Sequence, residues 1–323
     1  MIPRHPRFLL IVALSAVGLL TDGLSEDAAI KKKSPPPPEA LEWMEDITRG
    51  EPGTHRDLAP VRIDYGLSWN NALNAGEFSV TLNRSEEEPD STLVGLAEGR
   101  SNGLARALWP YDVAAESLVD RRTLRPRLFE VVETERGKSY EYHLEFSPTR
   151  VMTRTTTLPK AGKETAEPVV SEKAYRYDFI HDVLSAVLYI RSQDLADGDV
   201  IKSVVSPFNR PYYTEFSVLE REKHKIKGDK FDAIRLGVEI RKINADRTLQ
   251  TYEKMKKATI WLSDDEFRLP LEVQADIFVG YISARMTGRK WLEDTKEPKA
   301  ETPAAKDNRK GMLGTLGGKG NGR

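Results

Sequence analysis

Hydrophobic and polar side chains alternate with a period of two through most of the chain between residues 60 and 292. In the stretch RIDYGLSWN, the residues Ile63, Tyr65, Leu67 and Trp69 fall on one face of an extended chain, and polar or small residues fall on the other. The stretches EFSVTLN, SYEYHLEF, AIRLGVEIR and RLPLEVQADI repeat this pattern. Strands with one apolar and one polar face are typical of antiparallel sheets covered on one side. The pattern predicts roughly ten to twelve such strands, separated by turn residues.

One segment departs from this alternation. In YDFIHDVLSAVLYIRSQ the apolar residues recur at helical spacing: Ile180, Val183, Leu184, Val187 and Leu188. This spacing predicts an amphipathic helix, with Asp178 or Asp182 as its N-cap and Gly198 closing it. A shorter helical turn is predicted at SNGLARALWP, where Pro110 stops it.

These patterns predict a mainly β protein. The expected architecture is a large curved antiparallel sheet, a half-barrel or barrel-like structure, with one principal helix packed on the concave side. A sheet of so many strands cannot stay flat, because strands twist relative to their neighbours. The pattern leaves open whether the sheet closes into a barrel or splits into a sandwich.

The N-terminus has the features of an export signal. Arg4 and Arg7 precede an apolar run from Phe8 to Leu20, and the small residues Gly23 and Ser25 follow. This order predicts a secretory signal peptide over residues 1–25, cleaved after either small residue. An uncleaved membrane anchor is the weaker alternative, because a spanning helix needs about 20 apolar residues.

The remaining boundaries follow from composition. Residues 26–59 contain KSPPPP and are predicted to form a Pro-rich stem or linker, with EALEWMEDI as a candidate short helix around Trp43. Residues 293–323 are polar and glycine-rich, which predicts a disordered tail. Residues 60–292 are left as a single β-rich domain. We expect the protein to be exported to the periplasm or cell envelope of a bacterium, with no stable transmembrane segment after signal cleavage.

Composition excludes several classes of protein. Lys and Arg total 49 and Asp and Glu total 50, a formal net charge of -1, and no basic stripe is evident in the central domain. Nucleic acid is therefore not an expected partner. The chain has no cysteine, which excludes disulfides, thiol enzymes, Cys-zinc sites and Cys-linked lipid anchors. The fold must then depend on its apolar core.

No residue pattern points to catalysis or to a cofactor. The acidic group Asp264, Asp265 and Glu266 lies between two alternating stretches and is predicted to form an exposed hairpin tip. None of the five histidines has metal-ligand spacing. His181 and Asp182 are adjacent on the predicted helix and point in different directions, so they cannot form an orienting pair. The sequence therefore predicts no catalytic residue, no metal site and no cofactor.

A few residues should border the concave interior. The candidates for contact with an apolar ligand are Tyr65, Trp69, Trp109, Tyr189 and Arg191. Barrel-type binding proteins place aromatic residues around such a cavity. The alternative for the aromatic residues is ordinary core packing. For Arg191 the alternatives are stabilisation of the helix C-terminus or a buried ion pair.

Three stretches, WLSDDEFRLPLEV, VLSAVLYIRSQDLADGDV and IKGDKFDAIRL, together resemble the DUF3108 family of exported bacterial proteins of uncharacterised function. The stretches YGLSWNNALNAGEFSVTL and ALWPYDVAAESLVDRRTLRPRLFE fit the same family. The resemblance covers nearly all of residues 60–290. It implies an all-β curved sheet with a central helix, similar in outline to periplasmic lipid-handling half-barrels. The family has no established catalytic residues to transfer.

Three functions follow as hypotheses. The first is a non-catalytic envelope protein that binds a lipid or another apolar small molecule inside the curved sheet. The second is an interaction module that contacts another envelope protein. The third is a hydrolase of unknown substrate. The sequence does not decide whether the protein is an enzyme, although it favours a non-catalytic role.

Overall fold

A computed structural model describes residues 41–55, 58–159, 167–252, 257–277 and 280–293. The helices in these ranges are α1 (Glu42–Glu45), α2 (Gly103–Leu108) and α3 (Val183–Ser192). The strands are β1 (Val61–Trp69), β2 (Leu73–Arg84), β3 (Thr92–Ser101), β4 (Tyr111–Asp120), β5 (Pro126–Glu135), β6 (Lys138–Ser147), β7 (Arg150–Thr157), β8 (Val169–Tyr175), β9 (Ile180–His181), β10 (Val200–Val205), β11 (Tyr212–Ile226), β12 (Asp229–Ile243), β13 (Leu249–Thr251), β14 (Ala258–Ser263), β15 (Pro270–Asp276) and β16 (Tyr281–Trp291). The predicted signal peptide, the proline run of the predicted stem and the predicted tail beyond residue 293 lie outside the described residues.

All of these strands belong to one sheet. Their order is β8-β7-β6-β5-β4-β3-β2-β1-β16-β15-β14-β12-β11-β10-β9, with β13 paired to β12. Neighbouring strands are antiparallel, apart from the short parallel pair of β9 and β10. The predicted curved antiparallel sheet is confirmed. The described residues contain more strands than predicted, partly because β9 and β13 have only two and three residues and are too short to show an alternation.

The two edges of the sheet lie close together. β8 at one edge and β9 at the other are separated by only four residues, 176–179, and Tyr175 and Ile180 can be at most about 18 Å apart. The Tyr175 hydroxyl donates to the Asn209 carbonyl at 2.9 Å, and the rings of Tyr142 and Phe208 stack with centroids 4.6 Å apart. The sheet therefore curls into a barrel-like shape that stays open, and it does not split into a sandwich.

The helix α3 is fixed to the sheet at its first turn. The Asp182 carboxylate accepts hydrogen bonds from the backbone N–H groups of Leu184 (2.7 Å) and Ser185 (3.0 Å), which makes Asp182 the N-cap instead of Asp178. Its other oxygen accepts a 2.8 Å bond from the Ser117 hydroxyl of β4. One buried side chain thus ends the extended segment, starts the helix and ties it to the sheet.

The prediction that Gly198 closes α3 was wrong. The helix ends at Ser192, and Gly198 lies further along, with a φ of +90°, in the turn before β10. The last carbonyl groups have other partners. The Ser192 hydroxyl donates to the Tyr189 carbonyl at 2.6 Å, and the buried Arg268 side chain donates to the carbonyl groups of Arg191, Gln193 and Asp194. A glycine cap is not needed because these side chains satisfy the helix end.

Residues 41–55, here called the N-terminal strap, pack against the domain. The buried Trp43 donates its indole N–H to the Arg247 carbonyl at 2.8 Å. Further along, the Gly53 N–H donates to the Ser192 hydroxyl at 3.1 Å, and the Tyr189 hydroxyl donates to the Gly50 carbonyl at 3.2 Å. The strap therefore belongs to the packed unit, whereas the linker prediction covered all of residues 26–59. The strap packs because its apolar side chains, such as Trp43, are buried against residues far away in the sequence. The short helix predicted around Trp43 is present as α1.

Candidate apolar binding site

A cavity of about 100 Å³ lies between α3 and the concave face of the sheet. The helix contributes Leu184, Val187, Leu188 and Arg191 to its walls, and these residues recur at three- to four-residue spacing on one helix face. The middle strands of the sheet contribute inward side chains such as Ile63, Tyr65, Phe78, Phe216, Ile260 and Val273. The alternation of inward and outward positions along each strand directs these side chains toward the helix.

The helix face that looks into the cavity is not fully covered by protein. Leu184 and Val187 are only half-buried, whereas the other eight residues of α3 are buried. Gly95 on β3 allows the helix to approach the sheet here, since a Cβ atom at that position would lie 3.2 Å from Leu184 Cδ1. Two apolar side chains thus border space that the core does not fill.

The lining becomes polar near the C-terminal end of α3. Arg191 is 4% exposed, and its Nε and Nη2 atoms donate to the Phe267 carbonyl at 3.1 and 2.7 Å. The Tyr65 hydroxyl donates to the Pro270 carbonyl at 2.9 Å. Burial raises the pKa of Tyr65, and the positive charge of Arg191 acts against that rise. Among the described residues that line the cavity, Arg191 carries the only charge.

The acidic stretch SDDE forms a loop next to the C-terminal end of α3, where Arg191 lines the cavity. Asp265 Oδ1 accepts hydrogen bonds from the Ser263 hydroxyl (2.8 Å) and from the backbone N–H groups of Phe267 (3.0 Å) and Arg268 (2.9 Å). Asp264 is exposed, and its carboxylate lies 3.2 Å from Arg221 Nε. Because β14 and β15 pair on either side of the loop, the predicted hairpin tip is confirmed. Its structural role is to present the Phe267 carbonyl to Arg191.

The two aspartates of this loop should differ in their effect on stability. Asp265→Ala should lower the free energy of unfolding by about 1–3 kcal/mol, because it removes the acceptor of two backbone N–H groups. Asp264→Ala should lower it by less than about 1 kcal/mol, because it breaks only a surface ion pair. Urea denaturation of both variants measures the difference. Equal losses would contradict the turn-forming role of Asp265.

The structure brings together two of the five candidate ligand residues, Tyr65 and Arg191, at the cavity wall. Tyr189 is on the same helix but points to the N-terminal strap. Trp109 is buried after α2, with the Arg136 guanidinium 3.6 Å from its ring centroid. Trp69 is partly buried at the end of β1. Sequence reasoning passed over Phe78, although the alternation of β2 could have identified it, and over the cavity position of Leu184 and Val187.

The described residues contain no group of three or more His, Asp or Glu side chains that could hold a metal ion. They also contain no relay joining Ser117, Asp182 and His181. The Ser117 hydroxyl donates to Asp182, while His181 Nδ1 has no hydrogen-bond partner. Burial lowers the pKa of His181 to about 3, so its ring is neutral at ordinary pH. None of these groups supports the hydrolase hypothesis.

A second polar cluster lies on the outward face of the sheet. The buried carboxylate of Glu272 is 2.9 Å from His224 Nε2 and forms two 2.9 Å hydrogen bonds with Arg285. The His224 ring also stacks on Trp261, with centroids 4.6 Å apart. Arg285 thus engages both oxygens of Glu272, and His224 adds a further contact, which is typical of a structural polar network.

The curled antiparallel sheet, the helix on its concave side and the cavity between them define a barrel-like β protein with an internal apolar cavity. The chain belongs to the DUF3108 family, described as a protein of unknown function, whose sequence profile matches residues 62–287. The resemblance seen in the sequence is therefore confirmed. No curated protein matches the chain.

A solved structure shares the fold at low sequence identity. A β-barrel-like protein of the domain of unknown function DUF1849 from Brucella abortus has a TM-score of 0.50 and 9% identity, covering 74% of this chain and 99% of that chain. A presumed exported protein with a YmcC-like fold from Bacteroides fragilis has a TM-score of 0.27 and 9% identity, covering 74% and 98%. The first likeness supports the fold alone, and the second is too distant to support any conclusion.

Among the described residues, none of the helices combines the length and apolar character that crossing a bilayer requires.

Proposed function

We propose that this protein is a non-catalytic protein of the bacterial cell envelope that binds a lipid or another apolar ligand in the cavity beside α3. The unfilled apolar space against Leu184 and Val187 carries this proposal. Protein interiors are normally packed to crystal-like density. A cavity of about 100 Å³ deprives the side chains that line it of packing contacts. A bound apolar chain would recover those contacts.

The envelope location is supported by the sequence pattern of residues 1–25. A protein that handles apolar molecules outside the cytoplasm needs to shield them from water, and a curved sheet with a helix across it provides such a shield.

Filling the cavity should weaken ligand binding. Val187→Trp places a large ring into the space beside α3, and we expect the affinity for the neutral apolar dye N-phenyl-1-naphthylamine to fall at least about tenfold, a loss of about 1.4 kcal/mol in binding. Dye fluorescence on titration with purified protein measures this. Leu108→Trp, on the exposed surface of α2, is the matched control and should bind as the unmodified protein does. Equal dye binding by the two variants would contradict the proposal.

The second candidate function is an interaction module. β8 is an edge strand, and its Val169 and Val170 are 59% and 55% exposed. Exposed apolar edge strands can pair with a strand of another protein. Binding of this kind would be unaffected by Val187→Trp, which separates the two candidates.

A further inference from the structure

We propose that the tip of the β11–β12 hairpin, residues 223–230, docks the protein on the anionic head groups of a lipid membrane. This segment has the sequence KHKIKGDK and is called the lysine tip below. Docking of this kind does not require that the cavity be occupied. It goes beyond the proposed function by adding a second surface and the partner that this surface fits.

The lysine tip extends past the neighbouring strand of the sheet. β12 pairs with β14 only from Ala233 onward, so the ladder partners of residues 223–230 all lie within the hairpin itself. One face of the tip packs on the outward face of the sheet, since Ile226 is 3% exposed and the His224 ring stacks on Trp261. The packed face holds the tip in place, and the opposite face is left to solvent.

The free face of the tip carries lysines. Lys225 and Lys230 lie directly opposite each other in the ladder, and Lys227 is exposed at the turn. Like charges in directly opposite positions destabilise a sheet. Lys223 is also exposed, but its ammonium lies 2.5 Å from the Asp232 carboxylate. Within the part of the chain that the structure describes, the other three lysines have no ion-pair partner.

The tip is a local positive patch. It contains four lysines and one acid, Asp229, a formal charge of +3, whereas the whole chain has a formal net charge of -1. Side chains in opposite positions of a ladder start about 5 Å apart. This separation is below the Debye length of about 8 Å at physiological salt, so the fields of Lys225 and Lys230 add. The tip therefore attracts a surface that carries many negative charges.

The composition of the tip favours a membrane over a protein partner. Protein interfaces are depleted in lysine and depend on aromatic or apolar anchors. The free face of the tip offers no such anchor, because Ile226 is turned inward and buried. A lysine patch without an anchor fits a layer of anionic head groups, where each lysine near the surface strengthens binding about fivefold. The patch is also too short to form the extended basic stripe that binds nucleic acid.

The position of the tip fixes the orientation of a docked molecule. The Asp264 N–H donates to the Asp232 carbonyl at 2.9 Å, which joins the hairpin to the loop after β14. The same loop presents the Phe267 carbonyl to Arg191 at the cavity wall. Docking through the tip therefore turns this end of the cavity toward the bilayer.

Co-sedimentation with vesicles tests the proposal. The purified protein is mixed with vesicles of pure phosphatidylcholine, or of an equimolar mixture of phosphatidylcholine and phosphatidylglycerol. We expect binding to the mixed vesicles to be at least about tenfold tighter at about 0.1 M salt. The difference should disappear at about 1 M salt, where the Debye length falls to about 3 Å.

Variants locate the binding surface. The combined substitutions Lys225→Gln, Lys227→Gln and Lys230→Gln should weaken binding to the mixed vesicles by about 100-fold. The same three positions changed to arginine should retain binding, because the charge is kept. All variants share every other residue of the chain, so the difference between them reports on the tip.

The matched control removes the same charge elsewhere. Lys138, Lys173 and Lys257 are exposed lysines on other segments of the domain, and their combined change to glutamine should weaken binding by less than about threefold. An equal loss in this control would show that total charge governs binding, and it would overturn the role of the tip. Circular dichroism of each variant establishes that it is folded.

Other outcomes would also overturn the proposal. Equal binding to the two kinds of vesicle, or binding that high salt leaves unchanged, would exclude an electrostatic membrane surface. Inhibition by inorganic phosphate at constant ionic strength would assign the tip to free phosphate, and tighter binding to polyglutamate than to vesicles would assign it to an acidic protein. Binding of the apolar dye should be the same in all these variants, because the tip does not line the cavity. Failure of membrane docking is thus distinguishable from failure of the proposed function.

Discussion

Glu133→Gln should raise the free energy of unfolding at pH 8 by about 3 kcal/mol and leave it almost unchanged at pH 4. Glu133 lies on the inward face of β5 and is 2% exposed, and the Tyr142 hydroxyl donates to its Oε2 atom at 3.2 Å. Burial and the neighbouring charge of Glu135 raise its pKa from 4.5 to about 7, while hydrogen bonds with Tyr111 and Tyr142 act in the opposite direction. The site therefore holds a protonated acid more readily than an ionised one.

The sign follows from proton binding. Because the pKa of Glu133 is higher in the folded state, folding takes up a proton at intermediate pH, and the free energy of unfolding falls as pH rises. The favourable contribution is complete below about pH 4.5 and is lost as pH rises through about 7. A shift of this size corresponds to about 3 kcal/mol. Glutamine cannot ionise, so the variant escapes the loss.

Urea denaturation of the unmodified protein and of Glu133→Gln between pH 4 and pH 8 measures this effect. The difference between their free energies of unfolding is used, because the titration of all other groups cancels in it. Glu116→Gln on the exposed face of β4 is the matched control and should leave the difference near zero at every pH. A stability difference between Glu133→Gln and the unmodified protein that is the same at pH 4 and pH 8 would contradict the raised pKa of Glu133.

Asp182→Ala should lower the free energy of unfolding by about 3 kcal/mol. Asp182 is fully buried, and its loss leaves the first N–H groups of α3 and the Ser117 hydroxyl without their acceptor. An N-cap contributes about 1 kcal/mol and a buried orphaned polar group costs about 1–3 kcal/mol. Dye affinity should fall as well, because Leu184 lies in the turn that Asp182 caps.

Asp182→Asn is the matched variant for this experiment. Its side-chain oxygen can still accept from the N–H groups of Leu184 and Ser185, so we expect a loss of only about 1 kcal/mol. Urea denaturation followed by far-UV circular dichroism measures both variants. Equal losses in the two, or a loss below about 1 kcal/mol for alanine, would show that the cap does not anchor the helix.

The local features of this fold could be predicted because they depend on local physics. Alternation places Ile63, Tyr65 and Leu67 on one face of a strand, and the structure buries all three. Helical spacing of apolar residues identifies α3, and Asp182 before it identifies the N-terminus of the helix. The resemblance to the DUF3108 family rests on the same stretches, and the profile match confirms it.

The position of the cavity could not be predicted because it depends on where a short helix rests on a much larger face. Of the inward aromatic residues, Tyr65 faces the unfilled space, whereas Trp109 is enclosed by core and by Arg136. The burial of Trp43 depends on a carbonyl at Arg247, which lies far along the chain. The raised pKa of Glu133 depends first on its burial, which the assembled fold creates, while hydrogen bonds with Tyr111 and Tyr142 oppose the rise. No local sequence pattern predicts these contacts between residues that are distant in the chain.

The pairing of β1 with β16 has a consequence for the order of folding. The other ladders among the described strands join segments close in the chain, but this one joins residues 61–69 with residues 282–291. Its closure bears the largest loss of chain entropy, so hairpins should form early and this seam last. Until it forms, two half-sheets each carry an open edge in the middle of the future barrel. Those transient edges are where a nascent molecule is most exposed to aggregation with its own copies.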